Sequence, residues 1–246
     1  RITPGLTSTF VDLEAAGPVR KDLLVERHLI SSHHAKRDHP RAVAFDQANE
    51  RLSIMVNEED HQRIQVGRPG LDLHAAYDQL EQTECKLESQ FDFAYSTKLG
   101  YLTACPTNVG TAVRFSVMLH LPALSITGDM EKVQNAAKAM SMAVRGSAGE
   151  GSDSDVHLYQ LSNQTTLGKS EQQLLESFQA HIIPQVVEFE RAARRRLLDR
   201  RRLMLEDRVH RAHAVLSAAR VMEHDECTGL LSDLRLGVAA GIINSI

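Results

Sequence analysis

Hydrophobic and polar positions alternate over short runs in the first part of the chain, which is typical of β-strands. Residues 42–45 and 52–56 are two such runs, and the turn-like residues between them predict a hairpin. Residues 63–66 predict a further extended segment. From residue 71 to residue 91 the apolar positions instead recur near helical spacing, so we expect a surface helix that packs through one face.

The most regular alternation lies between residues 111 and 121, after a short extended segment at 101–104. One face carries Val113, Phe115, Val117, Leu119 and Leu121, and the other carries Ala112, Arg114, Ser116, Met118 and His120. We therefore predict one long strand with one face in the core. A second helix is expected at 129–144, a loop rich in Gly and Ser at 145–155, and a final strand at 156–161.

The pattern changes at Ser170, which stands three residues before Gln173 in the form of a capping box and so predicts a helix start. Pro184 fits only the first turn of a new helix or a kink. From residue 185 to residue 222 there is no Gly or Pro, so we expect one long helix, followed by a short helix at 225–240 that packs back on it. Alternating strands with flanking helices predict an α+β fold.

Arginines crowd the polar face of the long predicted helix, yet the charge pattern does not favour nucleic acid as a partner. Residues 161–246 carry 12 basic and 11 acidic side chains and almost no aromatic residues on which bases could stack. We therefore interpret this face as solvated or as a contact between proteins, and we expect no nucleic-acid partner.

Composition narrows the class of protein further. The chain has 246 residues, 42% hydrophobic and 24% charged, with a net charge of -4, which allows a sizeable core and excludes a disordered protein. No apolar run reaches the roughly 18 to 20 residues that a membrane helix needs, and no leader opens the sequence. Three widely spaced cysteines without a CxxC pair argue against a disulfide framework or a structural zinc site. We expect no membrane contact, no protein-bound metal and a reduced, cytoplasmic compartment.

Two polar turns are candidates for chemistry. Residues 57–63 contain three consecutive carboxylates beside a His and an Arg, at the end of an apolar strand; the segment is either a solvated turn or part of a site. The turn at 105–111 begins with Cys105, which is either a buried small hydrophobic residue or a reactive thiol.

Two further features carry charge. Arg114 lies within the predicted strand, on the face opposite the Val and Leu residues, so it faces either water or an anion. Residues 145–152 contain three glycines, with Arg145 and Glu150 as opposite charges near the two ends. Such a segment is either a simple connection or a clamp on a ligand.

Considered together, four segments resemble in order and spacing the signature of the phosphagen (guanidino) kinase family: residues 57–63, 105–116, 145–152 and 162–164. The resemblance extends from about residue 23 to residue 169. Three blocks are more narrowly similar to the bacterial protein arginine kinases, which phosphorylate arginine side chains of proteins with ATP: residues 24–31, 99–103 and 162–169. The resemblance implies the guanidino-kinase catalytic fold, an antiparallel sheet flanked by helices, at 1–169 and a helical C-terminal region at 170–246.

The resemblance also implies the chemistry. A guanidinium is a poor nucleophile, so such an enzyme must orient it, help it to lose a proton and hold the γ-phosphoryl group in line. By resemblance, Glu59 and Glu150 grip the guanidinium, one of them as the general base, and Cys105 assists electrostatically. ATP and Mg²⁺ are the implied cofactors, and no covalent enzyme intermediate is needed.

Nucleotide-binding residues are implied in the same way. Arg63, Arg114 and Arg145 match the family's phosphate-binding arginines, whose guanidinium groups offer paired donors and keep their charge. His28 matches a histidine near the nucleotide. The others continue the nucleotide strand or form the loop after Arg145: Phe115, Ser116, Val117, Met118, Gly146, Ser147, Ala148, Gly149 and Glu150.

Some positions depart from the family pattern. The family carries a Ser-Ser-Arg-x-Arg strand whose two arginines also bind ATP phosphates, and no such segment precedes Leu23. We therefore expect an N-terminally incomplete catalytic domain with weak turnover. Ala112 and Phe115 are bulkier than the family's usual Gly and Ala. Ala148 replaces an aromatic residue of the bacterial relatives, and residues 153–155 replace small apolar ones.

Three functions stay open. The first is a protein arginine kinase, to which the helical tail adds support because animal small-molecule kinases lack such a tail. Its implied partners are arginine-bearing protein substrates, a second copy in a homodimer formed through the helical region, and regulatory or protease-adaptor proteins. The second function is a small-guanidino (arginine) kinase. The third is a catalytically weak regulatory or adaptor module that keeps the fold.

Overall fold

The structure, a computed structural model, describes residues 8–146 and 156–244 of the chain. Its helices are α1 (Pro18–Glu26), α2 (Ser32–Lys36), α3 (Leu73–Glu88), α4 (Pro122–Thr127), α5 (Met130–Ala139), α6 (Glu171–Glu176), α7 (Ile183–Ala218) and α8 (His224–Ala239). Its strands are β1 (Ser8–Asp12), β2 (Ala42–Asp46), β3 (Leu52–Val56), β4 (Gln62–Val66), β5 (Tyr95–Ser96), β6 (Gly100–Tyr101), β7 (Ser116–His120), β8 (Met142–Gly146) and β9 (Leu158–Asn163). A 3-10 turn spans Pro106–Asn108, and a π-helical turn spans Ser177–Ile182.

The chain divides into two compact units. Unit 1 comprises Arg1–Val113 with Thr166–Lys169, and unit 2 comprises Arg114–Thr165 with Ser170–Ile246. The strands of each unit pair antiparallel and helices flank them, so the predicted α+β fold is confirmed. The expected division into a catalytic region at 1–169 and a helical region at 170–246 stays a prediction. No helix within the described ranges is long and apolar enough to cross a membrane.

Unit 1 is built on a four-stranded sheet in the order β1-β2-β3-β4. The predicted hairpin is confirmed as β2 and β3, in which Val43 opposes Met55, and the next extended segment is confirmed as β4. Val43 and Met55 are buried with Leu13 and Leu29, so one face of the sheet carries a core. Helix α3, predicted at 71–91, packs against β4. Strand β1 and helices α1 and α2 have no counterpart among the predicted elements.

A close backbone approach follows the two-stranded ribbon of β5 and β6. Tyr101 and Gly110 exchange backbone hydrogen bonds of 2.8 and 3.2 Å. Gly110 has a φ of 116°, and a Cβ atom there would collide with the carbonyl group of Thr166. The Thr111 N–H donates to that same carbonyl oxygen at 2.8 Å. Glycine is therefore required at this point, where the short segment from Thr166 joins unit 1.

Unit 2 is built on a three-stranded sheet in the order β7-β9-β8. The strand predicted at 111–121 is too long, because Ala112 has a left-handed backbone with a φ of 52° and strand β7 begins only at Ser116. Strand β9 confirms the strand predicted at 156–161, with a shift of two residues. Helix α4 lies where no helix is predicted, directly after Leu121.

The helix predicted at 129–144 is wrong beyond Ala139. Ser141 has a φ of 57°, which ends the helix, and the next residues pair with β9 as strand β8. Met142 and Ala143 are buried in that strand, so burial in the sheet outweighed a local pattern that also suits a helix. Strand β8 also takes up Arg145 and Gly146, the first residues of the predicted loop, whose other residues lie outside the described ranges.

The helical part of unit 2 begins as predicted. The side chain of Ser170 accepts from the Gln173 N–H at 3.2 Å, and the Gln173 side chain accepts from the Ser170 N–H at 3.0 Å, which confirms the capping box. Pro184 lies in the first turn of α7, directly after the π-helical turn. The backbone of Arg201 is non-helical (φ -138°, ψ 32°), so the long predicted helix is kinked. Helix α8 packs back on α7, as expected.

Candidate functional site

The hairpin tip between β3 and β4, which we call the acidic turn, comprises residues 57–61. Asn57 adopts a left-handed backbone with a φ of 57°, and its N–H donates to the His61 carbonyl at 2.9 Å, which closes the tip. Its carboxylates have different surroundings, because Glu58 is only 6% exposed whereas Glu59 is exposed. The acidic turn is therefore not a uniformly solvated turn.

Glu58 connects several parts of unit 1. Its Oε1 accepts from the Ser31 hydroxyl at 2.8 Å and lies 3.7 Å from Arg63 Nη1. Its Oε2 accepts from the backbone N–H of Glu59 at 2.7 Å. Burial raises the pKa of the Glu58 carboxyl, but the two hydrogen bonds and the nearby charges of Arg63 and His34 outweigh burial and lower that pKa below its ordinary value. Glu58 is therefore ionised at neutral pH.

The acidic turn also contacts the turn that carries Cys105. Asp60 Oδ1 accepts from the Ala104 N–H at 2.6 Å. Cys105 is a half-buried free thiol directly before the 3-10 turn, and its Sγ lies 2.9 Å from Thr107 Oγ1. The two candidate turns of the sequence are thus neighbours in unit 1.

His28 and Arg63 are linked through strand β4. His28 is exposed and has a left-handed backbone with a φ of 56°, a costly conformation for a residue other than glycine. Its carbonyl oxygen accepts from Gln65 Nε2 at 2.8 Å, and Gln65 follows Arg63 by two residues on β4. The Arg63 side chain is 47% exposed, which leaves most of its donors open to a ligand.

In unit 2, the segment predicted to bind nucleotide is fixed at its start by an amide side chain. The Phe115 N–H donates to Asn163 Oδ1 at 2.7 Å, and the Asn163 N–H donates to the Phe115 carbonyl at 3.3 Å. Asn163 Nδ2 also donates to the Thr165 carbonyl at 3.0 Å. Both Phe115 and Asn163 are buried. Hydrogen bonding between this segment and β9 therefore includes Phe115, the residue directly before β7.

Three of the predicted nucleotide-binding residues share one face of the unit 2 sheet. Met118 opposes Gln160 on β9, and Gln160 opposes Arg145 on β8. Directly opposed residues of an antiparallel pair lie on the same face, so Met118 and Arg145 share a face with Gln160 between them. Ser116 lies on that face as well, and Val117 lies on the other.

The remaining predicted residues are Arg114, Gly146 and four residues that the structure does not describe. Arg114 is exposed, as its position in the pattern predicts, and Gly146 ends β8 in a half-buried position. Four predicted residues lie outside the described ranges: Ser147, Ala148, Gly149 and Glu150. The role expected for Glu150 stays a prediction.

A second polar group in unit 2, which we call the histidine cluster, consists of His120, His157, Arg208, Ser232 and Asp233. His120 Nε2 lies 2.8 Å from Ser232 Oγ on α8. Arg208 on α7 donates from Nε to Asp233 Oδ1 at 2.6 Å and places Nη2 3.2 Å from His157 Nε2. The cluster thereby joins the end of β7 and the residue before β9 to helices α7 and α8.

Among the residues that contact the predicted site residues, sequence reasoning misses Ser31, Glu58, Gln160 and Asn163. Asn163 belongs to a block that carries the family resemblance, and Glu58 belongs to the acidic triplet, so both have a signal in the sequence. Ser31 belongs to a resembling block as well, but its contact with Glu58 spans 27 residues, and the contact of Gln160 with β8 depends on sheet register, so neither contact has a signal in the sequence.

Among residues 8–146 and 156–244, no group of three or more His, Cys, Asp or Glu side chains is placed to hold a metal ion.

Two family models match the chain. The model described as ATP:guanido phosphotransferase, C-terminal catalytic domain, matches residues 3–193. The model described as Protein-arginine kinase McsB C-terminal domain matches residues 202–246. The chain therefore belongs to the ATP:guanido phosphotransferase family, as the sequence motifs predict. The kink of α7 at Arg201 lies between the two matched ranges.

Curated relatives of high similarity are protein-arginine kinases. The protein-arginine kinase of Caldanaerobacter subterraneus subsp. tengcongensis is 43% identical over 236 residues, which cover 96% of this chain and 69% of the relative. That of Symbiobacterium thermophilum is 45% identical over 229 residues, which cover 93% of this chain and 64% of the relative. The chain thus spans about two thirds of the length of these relatives.

Solved structures of guanidino kinases share the fold. A lombricine kinase superposes with a TM-score of 0.65 at 25% identity, over 77% of this chain and 55% of that one. A duplicated taurocyamine kinase from Schistosoma mansoni, with bound transition state analog components, superposes with a TM-score of 0.67 at 29% identity, over 76% of this chain and 28% of that one.

Proposed function

We propose that this protein is an ATP-dependent protein arginine kinase, which transfers the γ-phosphoryl group of ATP to arginine side chains of proteins. The observation that carries the proposal is the acidic turn: the family's motif presents an exposed Glu59 next to an enclosed, ionised Glu58, with Arg63 and the Cys105 segment in contact with the same turn. The match of the C-terminal residues to a protein-arginine kinase domain supports a protein substrate.

The proposed chemistry uses two carboxylates. Glu59 and Glu150 hold the substrate guanidinium, and one of them takes its proton as the guanidinium nitrogen attacks the γ-phosphorus. A nitrogen–phosphorus bond forms, the bond from the γ-phosphorus to the bridging oxygen breaks, and ADP leaves. Cys105 lies near the guanidinium and favours its orientation electrostatically. The exposure of Glu59 supports its role, because its carboxylate is open to a ligand.

Three arginines carry the proposed nucleotide contacts. Arg63, Arg114 and Arg145 bind the phosphates. The other proposed contacts come from His28, from the segment Phe115, Ser116, Val117 and Met118, and from the loop Gly146, Ser147, Ala148, Gly149 and Glu150. The exposed side chains of Arg63 and Arg114 fit an anionic ligand, because they offer fixed charge at low desolvation cost.

Mg²⁺ is proposed to enter with ATP. Mg²⁺ in kinases is commonly held by substrate phosphates plus one or two carboxylates rather than by a cage of protein ligands. When bound, the ion neutralises charge on the phosphoryl group that is transferred. The chain's own arginines and carboxylates position the two reactants.

Partners and location are proposed from the family and the cysteines. Substrates are proteins that bear arginine, the helical region at 170–246 forms a homodimer, and regulatory or protease-adaptor proteins bind the enzyme. Cys85, Cys105 and Cys227 are all free thiols, which supports a reducing compartment and hence the cytoplasm. Sedimentation at micromolar concentration tests the dimer.

The activity is tested by incubating the purified protein with γ-labelled ATP, Mg²⁺ and casein, and by measuring acid-labile phosphate on arginine. Replacement of Glu59 or Glu150 by Gln removes a proton acceptor, so the rate is expected to fall at least about a hundredfold. The matched control is Glu14→Gln, which changes an exposed carboxylate outside the proposed site. Equal labelling by Glu59→Gln and Glu14→Gln would contradict the assignment of Glu59.

The small-guanidino kinase is kept as a second candidate, because the superposed lombricine and taurocyamine kinases share the fold. A higher kcat/KM for free arginine than for casein would favour it. A catalytically weak module is tested by calorimetry with ATP and Mg²⁺, since absence of heat together with absence of label supports that alternative.

A further inference from the structure

The structure points to a role for Ser31, which stands between α1 and α2. Its hydroxyl oxygen accepts from the His34 N–H at 2.9 Å, which caps the start of α2. The same hydroxyl donates to Glu58 Oε1 at 2.8 Å. The cap leaves the hydroxyl hydrogen available, so one side chain satisfies both contacts without competition.

The Glu58 carboxylate, oriented by Ser31, contacts two residues of the proposed site. The oxygen that accepts from Ser31 also lies nearest to Arg63, at 3.7 Å from Nη1. The other carboxylate oxygen accepts from the N–H of Glu59 at 2.7 Å. A carboxylate is planar, so fixing Oε1 at Ser31 also fixes the direction in which Oε2 meets the backbone of Glu59.

Glu58 itself is poorly placed to touch a substrate. It is 6% exposed, and both its oxygens already have protein partners. Glu59 is exposed, and its carboxylate has no such enclosure. Glu58 can therefore affect the reaction only by positioning Glu59 and the Arg63 guanidinium.

We propose that Ser31, acting through Glu58, is a positioning residue for phosphoryl transfer: its hydroxyl orients the Glu58 carboxylate, which sets the backbone of Glu59 and the guanidinium of Arg63. The inference rests on the proposed function, because it assigns the supported residues to substrate and ATP. Displacement of a reacting group by about 1 Å is enough to cost up to about a hundredfold in rate.

The test separates positioning from helix capping. Ser31→Gly removes the bond to Glu58, while glycine replaces a serine cap at a cost of only a few tenths of a kcal/mol. Ser31→Thr keeps a hydroxyl for both contacts. With casein as substrate, we expect Ser31→Gly to lower kcat about tenfold and to raise the KM for ATP about threefold. Ser31→Thr is expected to keep kcat and the KM for ATP within about twofold of the wild-type values.

Two further variants complete the test. Ser32→Ala is the matched control, because Ser32 is the exposed next residue in α2, and its kcat and KM are expected to equal those of the wild type. Glu58→Gln keeps the shape of Glu58 but removes its charge, and it is expected to reproduce the effects of Ser31→Gly. Circular dichroism and the thermal midpoint verify that each variant folds.

The outcomes are distinct. Wild-type kcat and KM in both Ser31→Gly and Glu58→Gln, with an active wild type, would overturn the positioning role and leave the proposed function intact. A lowered thermal midpoint with unchanged kcat and KM would assign Ser31 to the helix cap alone and would also overturn it. A folded wild type that neither labels casein nor binds ATP would refute the proposed function and, with it, the positioning role.

Discussion

The two units hold their proposed site residues in different ways. In unit 1 the acidic turn is held by hydrogen bonds to its carboxylates: Glu58 accepts from the adjacent Glu59 N–H and from Ser31, 27 residues away, and Asp60 accepts from the Ala104 N–H, 44 residues away. In unit 2 the strand that follows Phe115 is ordered from far along the chain: Asn163 stands 48 residues away, and the contact between His120 and Ser232 spans 112 residues.

This difference has a physical consequence. A turn held by hydrogen bonds to ionised carboxylates responds mainly to loss of those hydrogen-bond partners, because such bonds are stronger than neutral ones. A strand ordered by packed helices responds to changes in those helices, even where they touch no proposed ligand. Unit 2 should therefore be sensitive to substitutions in α7 and α8, and unit 1 should respond chiefly to substitutions of residues that contact the acidic turn, such as Ser31.

The largest effect is expected for Glu190→Ala in α7, which would break the link between helices in unit 2. Glu190 is 2% exposed, and its carboxylate accepts from the Ala123 and Leu124 N–H groups at 3.1 and 3.0 Å, at the start of α4. It also accepts from Arg194 Nε at 2.8 Å. Removal leaves these donors unpaired, so the free energy of unfolding of unit 2 is expected to fall by about 3 kcal/mol.

Urea unfolding measures this loss, and hydrogen exchange by mass spectrometry localises it. Peptides from α4 and β7 are expected to lose protection, whereas peptides from β2 and β3 keep it. The matched control is Glu188→Ala, whose side chain is 57% exposed in its pair with Arg191 and whose effect should stay within about 0.5 kcal/mol. Equal loss of protection in both units would contradict the expectation that Glu190 stabilises unit 2 alone.

A medium effect is expected from pH, through His120. Burial lowers the pKa of His120 to about 4, and the charges of Arg235, Arg194 and His157 contribute to the shift. At pH values between about 4 and the ordinary pKa of 6.5, His120 is protonated in the unfolded chain but neutral in the folded one. The free energy of unfolding of unit 2 should therefore fall as the pH falls through this window.

The free energy of unfolding of unit 2 is expected to fall by about 1 kcal/mol by pH 5, which is less than a fully buried imidazole ring would give. Urea midpoints at several pH values measure it. His120→Gln should reduce this dependence, whereas His33→Gln, a change at an exposed position in α2, should not. An identical pH dependence for both variants would remove His120 as its source.

The smallest effect is expected for Ala112→Gly, at the end of unit 1. Ala112 has a φ of 52°, which costs an alanine about 1 kcal/mol. Glycine removes this strain but adds entropy to the unfolded chain, so a net stabilisation of about 0.5 kcal/mol is expected from the urea midpoint. Ala94→Gly, at an exposed alanine outside the left-handed region, should instead destabilise. A lower urea midpoint for Ala112→Gly than for the wild type would contradict the assignment of backbone strain to Ala112.

Much of the fold follows from local pattern. The hairpin of β2 and β3, helix α3 and the capping box at Ser170 are all predicted, because alternation, helical spacing and cap chemistry are properties of adjacent residues. The failures lie at 111–121 and 129–144. There, left-handed residues and pairing with β9 decided the outcome, and neither can be read from a window of sequence.

The candidate site divides along the same line. Glu59, Arg63 and Cys105 stand in contiguous motifs, so the sequence supplies them through the family resemblance. Ser31 and Asn163 support the site from other segments, and only tertiary structure reveals their contacts. Residues that touch a ligand concentrate in motifs, while residues that orient them are spread along the chain.

The return of Thr166–Lys169 to unit 1 limits how the molecule can be dissected. The Thr166 hydroxyl donates to the Thr107 and Val109 carbonyls at 2.9 and 2.8 Å, and its backbone carbonyl receives the Thr111 N–H. A fragment that ends at residue 113 lacks these Thr166 hydrogen bonds to the Cys105 turn, even though most of unit 1 is present. No single cut of the polypeptide therefore frees unit 1 intact, and gene fusions or truncations that treat the units as successive modules would separate a turn from its support.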